Sequence, residues 1–226
     1  MKKSFLAISF VIALLINATA QDTVKVSLKN AADSLSFSFG LLIGNNLYVQ
    51  KVTDINSKVF MKGFQYGYSD KKTTLTTEAA NAIIQDYFQK MISDESNANL
   101  EKSNVFLAEN AKKEGVVTLP SGLQYEIVSQ GTGDLPTAED KVKVHYTGKL
   151  INGNIFDSSV ERNEPAVFGV SQVIPGWTEA LQLMPVGSKW ILYIPPALAY
   201  GEKGAGGVIG PNEALIFEVE LLEIVK

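Results

Sequence analysis

Hydrophobic positions follow two different rhythms along the chain. Leu28, Leu35, Leu42 and Val49 recur every seven residues, with Ala32 and Phe39 between them. That spacing predicts one helical stripe. The stretch Leu35-Ser36-Phe37-Ser38-Phe39 also alternates as a strand would, so both readings stand there. Ile55, Val59, Phe60, Gly63, Phe64 and Gly67 predict a second helix. Gly40/Gly44 and Gly63/Gly67 repeat a small residue at i, i+4, a spacing that favours close packing. Thr76 or Thr77 caps a third helix with Glu78 in its first turn, and Ile83, Ile84, Tyr87, Phe88 and Met91 form its apolar face. From Ser93 to Asn99 the sequence is almost wholly polar, and Leu100, Leu107 and Ala111 continue a sparse stripe to Gly115. A helix over 77–114 spans roughly 55 Å. Its polar half is expected to be a solvent-exposed strut. Apolar helix faces without a large core of their own suggest pairing with a second copy, hence a homodimer; the alternative is a monomeric bundle folded back on itself.

The rhythm changes after Gly115. Residues 22–115 contain no proline, whereas all eight prolines lie between 120 and 211. Leu119-Pro120-Ser121-Gly122-Leu123 reads as a turn leading into a strand to Val128. Val142, Val144 and Tyr146 alternate with Lys141, Lys143 and His145, the pattern of a half-buried strand. Asn152-Gly153-Asn154 is a turn before Ile155–Ser158. Trp177–Met184 is a short helix bounded by Pro175-Gly176 and Pro185, and Trp190–Ile194 and Ala214–Val225 are strands. One short helix against antiparallel strands is α+β. The expected organisation is an all-helical domain over 21–115 and a mixed domain over 116–226.

The first twenty residues have their own logic. Lys2 and Lys3 precede an apolar run from Phe5 to Ile16, and Ala18-Thr19-Ala20 offers a cleavage pattern. This is the form of a signal peptide, with an anchor helix as the alternative. Its removal takes the net charge from −4 to −6. With no basic run in the mature chain, nothing points to nucleic acid, and membrane contact is expected only through the leader. The chain has no cysteine, which rules out disulfides and thiolate chemistry, and one histidine, His145, which rules out a multi-histidine zinc site. An exported chain without disulfides is compatible with a bacterial periplasm.

Five motifs carry the chemistry. In order they are Val144-His145-Tyr146-Thr147-Gly148, Gly153–Ser159 containing Phe156-Asp157, Val173-Ile174-Pro175-Gly176-Trp177, Tyr200-Gly201, and Leu215-Ile216-Phe217-Glu218-Val219-Glu220-Leu221. Together they resemble the FKBP family of peptidyl-prolyl cis–trans isomerases, over about residues 116–226. The helical first half and Leu119–Tyr125 resemble its bacterial two-domain subgroup, the macrophage infectivity potentiator type. The resemblance implies a five-stranded sheet wrapped on one helix, and a V-shaped dimer made by the N-terminal helices. It implies a pocket at Tyr146, Phe156, Asp157, Arg162, Phe168, Val173, Ile174, Trp177, Tyr200, Ile209 and Phe217. Trp177 would be its floor, and Tyr146, Phe156 and Phe217 its walls. The Ile174 amide and the Tyr200 hydroxyl would donate to substrate carbonyls. Asp157 would be a lone carboxylate held by Tyr146 and Arg162. Ala166, Ala205, Gly206 and Gly210 depart from common members and bear on inhibitor and side-chain preference.

Residue chemistry points the same way. Rotation about X–Pro breaks no covalent bond, so it needs no nucleophile, metal or cofactor. The barrier, roughly 18–20 kcal/mol, is lost amide resonance. The planar amide is the more polar state, so an apolar aromatic cavity favours the twisted one. Taken singly, each aromatic could be core, Asp157 a turn residue and His145 structural. Gly204-Ala205-Gly206 lacks the following helix of a phosphate loop. Ser158 and Ser159 have no evident base partner. The expected function is an exported prolyl isomerase acting on unfolded or nascent exported polypeptides. The alternative is a proline-independent holdase chaperone using a dimer cleft.

Overall fold

A computed structural model describes residues 25–69 and 71–225; the expected leader and its cleavage pattern lie outside them. The chain divides into two compact units between Thr74 and Leu75. In the first unit, α1 (Ala31–Val49) begins where the Asn30 side chain accepts from the Asp33 amide. The Leu35–Phe39 stretch is helical, so its alternation is not a strand signal. The second helix, α2 (Ser57–Tyr68), is capped by Asn56 in the same way. Neither helix buries a side chain. Leu35, Leu42 and Val49, the expected stripe, are 60%, 66% and 77% exposed.

The second unit opens with α3 (Thr77–Asn110), capped by Thr76 and about 51 Å long. One end of the sheet follows at once in β1 (Val116–Thr118), which pairs with β2 (Gln124–Ser129). The order across the sheet continues with β6 (Lys189–Ile194), β7 (Leu215–Val225), β3 (Lys141–Leu150) and β4 (Ile155–Ser158). The remaining strand, β5 (Ala166–Gly169), pairs with the other end of β3, so β4 and β5 share one edge. All pairings are antiparallel. The expected five-stranded sheet is thus seven strands by hydrogen bonding, with a divided edge and a short added strand. The three-residue β1 and four-residue β5 are too brief to register as periodic patterns.

The sheet curves over α4 (Pro175–Leu181). Val142, Val144, Tyr146 and Leu150 alternate inward along β3, and Leu215, Phe217, Val219 and Leu221 along β7. They close on Trp177, Ala180, Leu181 and Met184. The α4 helix sits close because Gly176 faces Ile194: a Cβ there would lie 2.6 Å from its Cγ2.

The polar half of α3 is not a solvated strut. Ser103, Leu107 and Asn110 are buried, and Phe106 packs on Tyr193 with ring centroids 6.1 Å apart. The Asn110 side chain donates to Gln124 Oε1, and Gln124 Nε2 donates to the Leu107 carbonyl, both at 2.9 Å. Polar residues could be buried because each meets a partner on the sheet domain. In packing terms, the long helix therefore goes with the C-terminal unit. No helix among the described residues is long and apolar enough to cross a membrane.

Candidate active site

Aromatic side chains from β3, β4, β5, α4 and β7 meet at one end of the curved sheet. The Trp177 indole lies at the centre. Tyr146, Phe168 and Phe217 approach it nearly edge-on, with centroids at 5.4, 5.7 and 5.2 Å. Phe156 and Phe217 meet edge to face at 5.5 Å. Such T-shaped contacts suit the ring quadrupoles and fix the rings in place. Gly148 leaves room for them: a Cβ there would lie 2.6 Å from the Phe156 ring and 2.7 Å from Phe217.

The rings stop short of filling the space. A cavity of about 480 Å³ opens between them, lined by Tyr146, Phe156, Asp157, Phe168, Gln172, Val173, Ile174, Trp177, Tyr200, Ile209 and Phe217. Ten of the eleven positions expected from sequence thus come together on one cavity. Arg162 stands behind its rim rather than in the lining. Gln172 lines the cavity and was missed; a polar residue beside Val173 gives no sequence signal of its own. Ala166 packs against the core and does not line the cavity.

Phe156 and Asp157 are consecutive on a strand, yet both face the cavity. Successive strand residues ordinarily point to opposite faces. Here the β3–β4 register slips: Gly148 pairs with Asp157, but Lys149 pairs with Ile155. The bulge re-aims the side chains. No periodicity in the sequence announces it.

The carboxylate at the rim is firmly held. Asp157 accepts from the Tyr146 hydroxyl through Oδ2 and is ion-paired to Arg162 through Oδ1. Arg162 also donates to the Tyr146 hydroxyl at 3.2 Å. Burial alone would push the Asp157 carboxyl up; the hydrogen bonds from Tyr146 and Arg162, and the guanidinium charge, outweigh it and hold it below its ordinary value. Burial, followed by the hydrogen bond to Asp157, pushes the Tyr146 phenol up. The pair therefore presents a fixed carboxylate and a neutral phenol at neutral pH. The Ile174 amide and Tyr200 hydroxyl meet no protein acceptor among the described residues, leaving both donors available at the cavity.

His145 points away from this cavity, and its Nδ1 lies 3.1 Å from Ser159 Oγ. Ser159 thus has a histidine neighbour that sequence reading did not foresee. It is nonetheless fully buried, and its hydroxyl accepts from the Tyr146 amide at 2.7 Å. That is a structural hydroxyl fixing the turn after β4, not an accessible nucleophile.

This arrangement defines a class: a concave aromatic site with one ion-paired acid, suited to binding and reshaping a peptide without bond cleavage. Comparison with known proteins specifies it. Residues 133–222 match the family model described as FKBP-type peptidyl-prolyl cis-trans isomerase, and residues 32–127 match the domain amino terminal to it. The outer membrane protein MIP of Legionella longbeachae is 42% identical over 231 residues, 99% of each chain. The peptidyl-prolyl cis-trans isomerase Mip of Coxiella burnetii is 42% identical over 222 residues, 95% of each. The crystal structure of FkpA from Escherichia coli matches with a TM-score of 0.71 and 34% identity, covering 88% of this chain and 98% of that one. The chain belongs to the FKBP-type peptidyl-prolyl cis–trans isomerases, in their two-domain form, and is an isomerase of that type.

Proposed function

We propose that this isomerase accelerates the folding of exported proteins by taking X–Pro segments into the aromatic cavity. The observation that carries the reading is the 480 Å³ space ringed by Trp177, Tyr146, Phe156, Phe168 and Phe217 with Asp157 at its rim. The proline ring rests on Trp177. The Ile174 amide and Tyr200 hydroxyl hold carbonyls of the peptide. The apolar walls withdraw the water that stabilises the planar amide, and the twisted amide fits better. Each 1.4 kcal/mol of such preference gives about tenfold in rate. Asp157, fixed by Tyr146 and Arg162, places charge beside the rotating bond without needing to move a proton.

The protein acts outside the cytoplasm, in a periplasm, as a homodimer built on α1, α2 and the N-terminal part of α3. The leader-like first twenty residues and the relative named as an outer membrane protein support export. Exposed Leu35, Leu42, Val59, Phe64, Ile83 and Ile84 support the dimer. The test is the cis-to-trans rate of a short X–Pro peptide. Asp157→Ala and Phe217→Ala should each lower kcat/KM about ten- to a hundredfold while remaining folded. Unchanged rates would remove these residues from the site.

The same exposed helix faces favour a second activity, holding non-native chains regardless of proline. Phe217→Ala protein that still suppresses aggregation of a proline-free substrate would support it; loss of suppression together with isomerisation would count against it.

A further inference from the structure

The loop from Tyr200 to β7 supplies two cavity residues, Tyr200 and Ile209, and is rich in glycine. Gly201, Gly204, Gly206 and Gly207 all adopt positive φ, which glycine reaches freely and holds at an entropic cost. Its tip is closed by Ala205 and Ile209, which exchange backbone bonds at 2.9 and 3.0 Å, and by the Val208 amide, which donates to the Ala205 carbonyl at 3.2 Å. The return leg is held from outside, by α3. Asn99 Nδ2 donates to the Pro211 carbonyl at 2.9 Å. The Ser103 hydroxyl donates to the Asn212 carbonyl at 3.0 Å and accepts from the Ala214 amide at 2.8 Å. Asn212 Nδ2 donates to Ser96 Oγ at 2.8 Å, and its amide donates to the Gly201 carbonyl at 2.8 Å. One residue thus ties the helix to both legs of the loop. Ser103 is fully buried, so losing its hydroxyl would strand the buried Ala214 amide and the Asn212 carbonyl. A Cβ on Gly210 would lie 3.1 Å from Asn99 Nδ2, so glycine there permits the close approach.

We propose that Ser96, Asn99 and Ser103 of the long helix, acting through Asn212, are positioning residues for the isomerase: they fix the Tyr200–Ile209 wall of the cavity and set its affinity for peptide. The proposal rests on the reading of that cavity as the X–Pro site. None of the three α3 residues lines the cavity. The wall contacts substrate throughout the rotation, so loosening it weakens ground state and transition state alike and raises KM rather than lowering kcat.

The test uses full-length Ser103→Ala and Asn99→Ala proteins, a short X–Pro peptide, and amide hydrogen exchange without substrate. KM should rise roughly three- to tenfold with kcat within about twofold. Exchange at Ala205, Ile209 and Asn212 should quicken while the amides of β2 and β6 keep their protection. Asn99 is only part-buried, so its variant serves if Ser103→Ala does not fold. Unchanged KM in folded variants overturns the proposal, as does a loss confined to kcat or faster exchange spread over the whole sheet. Failure of the X–Pro reading itself would show separately, as unchanged rates in Phe217→Ala.

Discussion

The two compact units use apolar residues in opposite ways. In the C-terminal unit, sheet and helix enclose Leu192, Ile194, Leu215, Val219 and Leu221 completely. In the N-terminal unit, α1 and α2 carry many large apolar residues and bury no side chain. A helix stripe needs a partner surface. The first region finds its partner within the chain and can form a cavity of fixed shape. The second leaves its faces exposed, the surface on which the proposed dimer would form. The long helix belongs to both descriptions: Ile83 and Ile84 are exposed, while Ser103 and Asn110 are fully buried.

Truncating the same residue type in each region tests that contrast most severely. Leu192→Ala, in the central strand β6, should cost about 2–5 kcal/mol in urea unfolding at every protein concentration. Leu42→Ala on α1 should show a loss that grows on dilution, because it acts through association, and should leave peptide isomerisation unchanged. A concentration-independent result for Leu42 would mean that the helix faces are not buried in a dimer.

A smaller effect separates the site from the scaffold by pH. Asp157 is held below its ordinary value, so its contribution is present above the ordinary carboxylate range and lost as pH falls through its depressed value. The rate on an X–Pro peptide should therefore be flat from about pH 5 to 8 and fall only in stronger acid. Asp157→Asn should abolish that acid limb; a limb that persists in this variant would assign it to another group.

The smallest effect belongs to the sheet surface. Lys143 and Glu223 are ion-paired at 2.6 Å on adjacent strands, both substantially exposed. Glu223→Gln should change stability by under about 1 kcal/mol, with the difference vanishing in high salt. A larger cost would mean that the β3–β7 register depends on charge as well as on its apolar face.

By itself, the sequence determined the elements that have strong periods or firm punctuation. The seven-residue stripe of α1, a threonine cap for α3 and the alternation in β3 were legible as local patterns, although the fold decided between helix and strand over Leu35–Phe39 and between Thr76 and Thr77 as the cap. The set of cavity residues was legible only as motifs in order, since no single ring distinguishes a wall from a core. Tertiary structure decided what no local pattern encodes. The slip between Gly148 and Lys149 turned Phe156 and Asp157 to the same side. Ser96, Asn99, Ser103 and Asn110 looked like a solvated face, because a polar side chain reads the same whether water or a buried backbone group is its partner. Only the approach of the sheet domain supplied those partners, and the hydrogen bonds of Ser96, Asn99 and Ser103, formed across more than a hundred residues of chain, have no signature in the neighbourhood of either end.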